Sequence, residues 1–588
     1  MRFSALLLLG LVGGRALCAV GPASGFNPGT PWPATDTLGR AVPTAAEVGP
    51  LRTNRFVGIF YFTWQSTEVR QGRPDGRPFD VAQIFAQDPD ALKKPDSPLW
   101  GPIGVYHFWA EPLVGYYAND DPWVLRRHAQ WLADAGVDTL LFDATNAQTY
   151  RHIYEPLCRT FEQVRRDGGR TPQIAFIMNT AAGQTADRLY RELYQPGLHR
   201  DLWFHWRGKP LLICDPAEAR PEWKDFFTLR RAHWPFTLTN TPYAWHWEAT
   251  FPQPYGYTDD PDQPEQVNVS VAQNLRQSDG QVTNMSDGNA RGRSFHQGRQ
   301  DTRPGAVLHG HNFQEQWQRV AELDPPFAMV TGWNEWIAGR WGKPDGPLVF
   351  VDQLDQEFSR DIEPMRGGHG DNYYLQLVAN VRRYKGALPL PQASAPVTLP
   401  LDAGPIPWAA VEPVFADAVG DTAPRDHRGV LALHYTSRSG RNDIVACRVA
   451  RDRDHVFFQV QTREPLSPST DPGWMWLLID IDQNVATGWE GYDFILNRTR
   501  DEAGTTWLEQ HTAGWDWKPR VRVPFRASGT HLCLAVPRTA LGLEAGQTSL
   551  ALDFKWADNQ PEPPNLLEAY MTGDVAPEGR FKYRYLAE

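Results

Sequence analysis

Residues 121–143 read DPWVLRRHAQWLADAGVDTLLFD and hold one complete helix-to-strand unit. Asp121 is a good N-cap, and Pro122 suits the first helical position, where its missing N–H costs nothing. Val124, His128, Trp131 and Ala135 then share one helical face, and Gly136 ends the helix. VDTLLFD follows, a short apolar run that ends in Asp143. Similar runs stand at RFVGIFYF (55–62), PQIAFIM (172–178), KPLLIC (209–214) and PFAMVTGW (326–333). Buried strands alternating with helices predict a parallel sheet, and the length of 40–390 favours a (β/α)8 TIM barrel with long loops. No GxGxxG or GxxxxGK[ST] opens a helix, so nucleotide binding has no support.

Beyond residue 386 the pattern changes. ALPLPQASAPVTLPLDAGPIP (387–407) carries six prolines, and a stiff linker is expected at 391–404. HVFFQVQT (455–462), WMWLLIDI (474–481), HLCLAVP (531–537) and SLALDFKW (549–556) then alternate with period two. Residues 405–588 therefore predict an all-β sandwich, so the fold class is α/β barrel followed by sandwich.

The first residues read as a targeting signal. Arg2 precedes the apolar run SALLLLGLV (4–12), and Ala16-Leu17-Cys18 supplies small residues before Ala19. A secretory signal peptide over 1–18 is expected, hence a secreted or periplasmic protein. No other run approaches the ~18 apolar residues of a spanning helix, so no membrane span is expected, and a monomer is. Of the four later cysteines, Cys214 and Cys533 read as buried apolar residues. A Cys447–Cys533 bridge is the one pairing entertained, and no cysteine or histidine has zinc spacing.

Lys and Arg total 58 against 69 acids, for a net charge of −11, which disfavours a nucleic-acid partner. The 24 Trp against 7 Met instead hint at a carbohydrate substrate, because indoles suit the CH-rich faces of sugar rings. In a barrel the chemistry lies where strands end, and the pattern puts Asp143 and Glu335 there as candidate catalytic carboxylates. Glycosidic cleavage needs such a pair. Two aromatic-polar runs supply candidate substrate-binding residues: Tyr106, His107, Trp109 and Glu111 in the first, Trp245, His246 and Glu248 in the second. Trp333, Asn334 and Trp336 flank Glu335 and join them. No carboxylate/His spacing supports a metal or other cofactor in the barrel.

GWNEWIAG (332–339), Asp361-Ile362-Glu363-Pro364 and NYYLQLVANVRRY (372–384) together resemble the end of glycoside hydrolase family 99-like barrels. The resemblance implies a secreted glycoside hydrolase acting on α-linked glycans, with two glutamates three residues apart. Glu335 matches the first of these, but Ala338 stands at the second. Either Asp143, Glu111, Glu248 or Asp352 supplies the missing function, or the protein is a non-hydrolytic polysaccharide binder with a degenerate site. Glu363 reads as a structural ion-pair partner. Downstream, GRNDIVACRVARDRDHVFFQVQT (440–462), the run 474–498, PRTALGL and DFKWADN resemble family 9-type carbohydrate-binding sandwiches. That resemblance implies sugar recognition by Trp474, Trp489, Trp515 or Trp517. Asp480-x-Asp482-x-Asn484 offers oxygen ligands as a structural calcium prefers, although strand alternation also places polar groups there.

Overall fold

The computed structural model describes residues 25–587 apart from 238, 344–345, 402–406, 501–503, 545 and 548. The signal peptide expected at 1–18 and part of the expected linker lie outside the described residues. Eight parallel strands form a nearly closed barrel: β1 Phe56–Tyr61, β2 Thr139–Ala144, β3 Gln173–Met178, β4 Lys209–Ile213, β5 Thr228–His233, β6 Ala244–His246, β7 Gln266–Ser270 and β8 Phe327–Thr331. They follow one another around the ring, and β8 pairs with β1. No strand ladder joins β6 to β7 among the described residues. The Gln266 side chain bridges that gap, accepting from the His246 N–H and donating to its carbonyl, both at 2.8 Å.

Strand alternation divides the sheet into two faces. Phe60, Leu141, Ile177, Leu211 and Met329 fill the interior. Ile59, Leu140, Phe142, Phe176, Leu212 and Val330 face outward, into the core shared with the helices. Asp143 lies two residues past Leu141 and so turns inward at the mouth. The long outer helices are α1 Pro122–Asp134, α2 Arg151–Arg166, α3 Ala182–Leu189, α4 His311–Leu323 and α5 Asn372–Lys385. Asp121 caps α1 by accepting the Trp123 N–H at 3.0 Å. At the floor, Lys385 of α5 bonds both Asp138 oxygens at 2.8 Å, tying the closing helix to the start of β2.

Strands β5 to β7 do not read as apolar runs, for a visible reason. Arg230 of β5 is buried and pairs with Glu265, which also takes N–H bonds from Trp206 and Trp245. Burial alone would raise the Glu265 carboxyl, but Arg230 and the indoles outweigh it and hold it below its ordinary value.

The C-terminal strands run antiparallel from Phe415–Ala416 to Tyr583–Ala587 in one curled sheet, apart from the separate ribbon of Arg425–Arg428 and His434–Ser437. The long strand Asp516–Ser528 turns from Thr505–Ala513 on one side to His531–Pro537 on the other. Both cysteines of the entertained bridge are free. Cys447 faces the sandwich core, whereas Cys533 packs with Leu399 and Trp408 in a separate cluster, so the two thiols belong to different layers. The described part of the proline-rich stretch meets the sandwich, with the Val397 N–H donating to the Arg451 carbonyl at 2.8 Å. Barrel and sandwich interlock: Tyr570 and Phe581 pack into the barrel's outer core, and Arg425 reaches Asp121 at 2.8 Å in a buried ion pair. No described helix is long and apolar enough to cross a membrane.

Candidate active site at the barrel mouth

Just past the end of β8 the chain places Glu335, almost fully buried. Its Oε2 accepts from Arg360 Nη2 at 3.0 Å and from Gln353 Nε2 at 2.9 Å. The same guanidinium donates from Nη1 to Glu248 Oε2 at 3.1 Å and reaches Asp352 at 3.3 Å. One buried cation therefore serves three carboxylates from three loops. The count leaves them short of charge compensation, in line with the raised carboxyls of Glu335 and Glu248. Burial, with Asp352 adding, pushes the Glu335 carboxyl well above its ordinary range, and Arg360 only partly offsets this. Burial likewise raises Glu248 to about 7. Glu248 Oε1 is buried with no hydrogen-bond partner.

Asp143 belongs to the same mouth. Its Oδ2 accepts the Trp64 indole N–H at 2.5 Å, and its Oδ1 the Thr145 backbone N–H at 2.9 Å. Burial raises its carboxyl, while those donors pull the other way. Asp352 repels the charge on Asp143, Glu248 and Glu335 alike, and after burial and Glu68 it adds to the rise of the Tyr106 hydroxyl, so all four lie within reach of its charge. Burial thus raises both carboxyls, Glu335 the further, and two N–H donors orient Asp143.

Most of the other expected contacts lie elsewhere. Trp109, Trp245, Trp333 and Trp336 are each no more than 1% exposed, and a ring without a free face gives a sugar nothing to stack on. Trp109 and Trp336 stack on each other at 4.9 Å, and Trp333 packs beside His128 and Tyr374. Asn334 clamps β1, accepting the Phe62 N–H and donating to its carbonyl. His107 is buried between the Val105 and Trp100 carbonyls. His246 faces away from the interior toward His233 and Asn240. Glu111 pairs with Arg366, which also reaches Glu568.

Glu363 accepts from Tyr117 and Trp336 and meets His128 Nε2 at 2.9 Å, a satisfied internal network. Ala338 packs with Val81, Trp100 and Phe350 in an apolar cluster.

The ring surface that does reach the mouth was mostly not foreseen. An arc runs from Phe236 and Trp234 through Trp247, Phe60 and Phe62 to Trp64, Tyr106 and Trp341, with neighbouring centroids 4.8–6.5 Å apart. Phe236 and Trp341 end it at 64% and 43% exposure. Trp64 holds Asp143, and Arg360 lies over Trp247 at 4.8 Å, so the arc touches both sets of acids. Tyr106 is the only ring of the arc among the expected contacts. The missed signals are Trp-bearing turns directly after β1 and β5.

In the sandwich, Trp474 is core, whereas Trp489 and Trp515 are partly exposed and meet edge to face at 4.8 Å. Asp480 and Asp482 gather with Asp493, the Asn484 N–H donates to Asp482 at 2.9 Å, and Lys582 donates to Asp480 at 2.8 Å.

No family model and no curated protein matches the chain. Among solved structures, a GH99 endo-alpha-mannosidase from Bacteroides thetaiotaomicron complexed with bis-tris-propane is similar. It is 13% identical with a TM-score of 0.33, over 56% of this chain and 96% of that one. A second structure of that enzyme gives 15%, 0.32, 56% and 98%. Likeness at this level assigns no residue role.

Proposed function

We propose that the protein is an exported glycoside hydrolase that cleaves an α-linked glycan or polysaccharide by carboxylate acid/base chemistry. One observation carries this reading: Glu335, desolvated toward its protonated form, shares the barrel mouth with the oriented carboxylate of Asp143. Glu335 protonates the leaving oxygen, and Asp143 meets the charge developing at the anomeric carbon, two roles set by two environments. Arg360 and Gln353 position Glu335, and the exposed or half-buried rings of the arc, Trp64, Tyr106, Trp234, Phe236 and Trp341, supply sugar platforms. The α-linkage rests on the 332–339 motif resemblance, and export rests on the leader at 1–18.

A second reading, a polysaccharide binder without hydrolysis, draws on Arg360 holding both Glu335 and Glu248. Incubating the purified protein with a panel of α-glycans and measuring reducing ends separates the two. Release of reducing sugar from one or more α-glycans is expected. Tight binding with no release would favour the binder.

A further inference from the structure

Beside the barrel, Asp417, Asp421 and Asp574 bring carboxylate oxygens within 4.8 Å of one another. They come from distant parts of the sandwich: a loop after Phe415–Ala416 and the strand Asp574–Ala576. Asp421 is only 7% exposed, yet its Oδ1 is buried without a hydrogen-bond partner, and so is Asp417 Oδ2. Native proteins rarely leave such oxygens orphaned, because desolvation without a partner is costly.

The local charge is also unbalanced. Glu578 acts on Asp417, so four carboxylates stand together, and the cations facing them are Arg127 of α1 and Lys555. Four minus two leaves two negative charges. Arg126 lies near but is committed to Asp167 and the Val419 carbonyl. The neighbouring Asp443 takes the Gly420 N–H and has Arg463 at 3.7 Å, and Asp134 has Arg170 and Arg382.

We propose that Asp417, Asp421 and Asp574 bind one divalent cation of the calcium type at the seam between sandwich and barrel. An all-oxygen donor set selects a hard cation over zinc or copper, and calcium takes the remaining positions as water. A cleft of about 450 Å³, lined by Asp417, Glu578, Asp134 and Trp32, gives access. Asp421 faces Arg127, whose Nε donates to the Tyr570 carbonyl at 2.9 Å, so the bound cation braces the contact between the two parts.

The full-length protein, stripped with EDTA and dialysed, tests this by calcium titration read as melting temperature and as stoichiometry in native mass spectrometry. Calcium should raise the melting temperature by several degrees with uptake at this site. Asp421→Asn should abolish that response, while Asp482→Asn, which alters the other acidic cluster, should leave it. An unchanged response in Asp421→Asn, or its loss in Asp482→Asn alone, would overturn the assignment. If Asp421→Asn does not fold, terbium luminescence of the Asp482→Asn protein decides. Emission displaced by calcium supports the site, and no emission overturns it. Stabilisation by low pH with no calcium uptake would also overturn it, in favour of protonated carboxyls.

Discussion

Glu335 and Glu363 lie within one short stretch, both buried, and the molecule treats them in opposite ways. Glu363 sits among Tyr117, Trp336 and His128 and is fully engaged. Glu335 and Glu248 share a single guanidinium with Asp352, and one oxygen of Glu248 has no partner. A buried carboxylate with all its donors is scaffold, because its charge is already spoken for. A buried carboxylate left short is poised to hold a proton, and that is what acid catalysis requires.

The contrast breaks first at Glu363. Glu363→Ala strands three polar partners in the core, so a loss of about 3–5 kcal/mol in stability is expected. Turnover per folded molecule should stay within about twofold, checked by denaturant titration alongside activity; a large selective loss of turnover would put Glu363 in the chemistry. Asp143→Asn comes next, with turnover falling about 10²-fold or more and circular dichroism unchanged. Near-normal turnover would remove Asp143 from the mechanism.

The pH dependence of stability sharpens the same contrast. Glu248 has its folded value raised from 4.5 to about 7, so the folded state binds more protons than the unfolded one in that window. Its contribution is complete below about 4.5 and is lost as pH rises through about 7. The denaturant midpoint should therefore fall across that range, and Glu248→Gln should flatten the fall; an identical slope in that variant would contradict the assignment. Smallest of all, Trp341→Ala at the exposed end of the arc should raise KM about 2–10-fold with kcat kept, the scale of about 0.5–1.5 kcal/mol for an aromatic contact.

Legibility in the sequence followed the same division. Strands β1 to β4 and β8 were readable because both faces are apolar. Strands β5 to β7 were not, since Arg230 is neutralised by Glu265, 35 positions away, and Gln266 serves as a substitute for a strand ladder. Glu335 and Asp143 could be placed at the mouth by strand ends alone. Arg360 could not, because nothing in the run 351–361 marks which charge turns inward. Counting tryptophans near Glu335 misled for a physical reason: Trp333 and Trp336 follow a strand that dives into packed layers. The rings that reach the mouth are Trp64, Trp234 and Trp341, whose turns stay at the rim.

The most direct test is the turnover of Glu335→Gln on an α-glycan that the wild type cleaves, measured together with binding of that glycan. The substitution keeps the shape and the bonds to Arg360 within reach while removing the transferable proton. Turnover should fall by about 10²-fold or more, with glycan affinity and melting temperature close to wild type. Wild-type turnover in the folded variant would contradict the account.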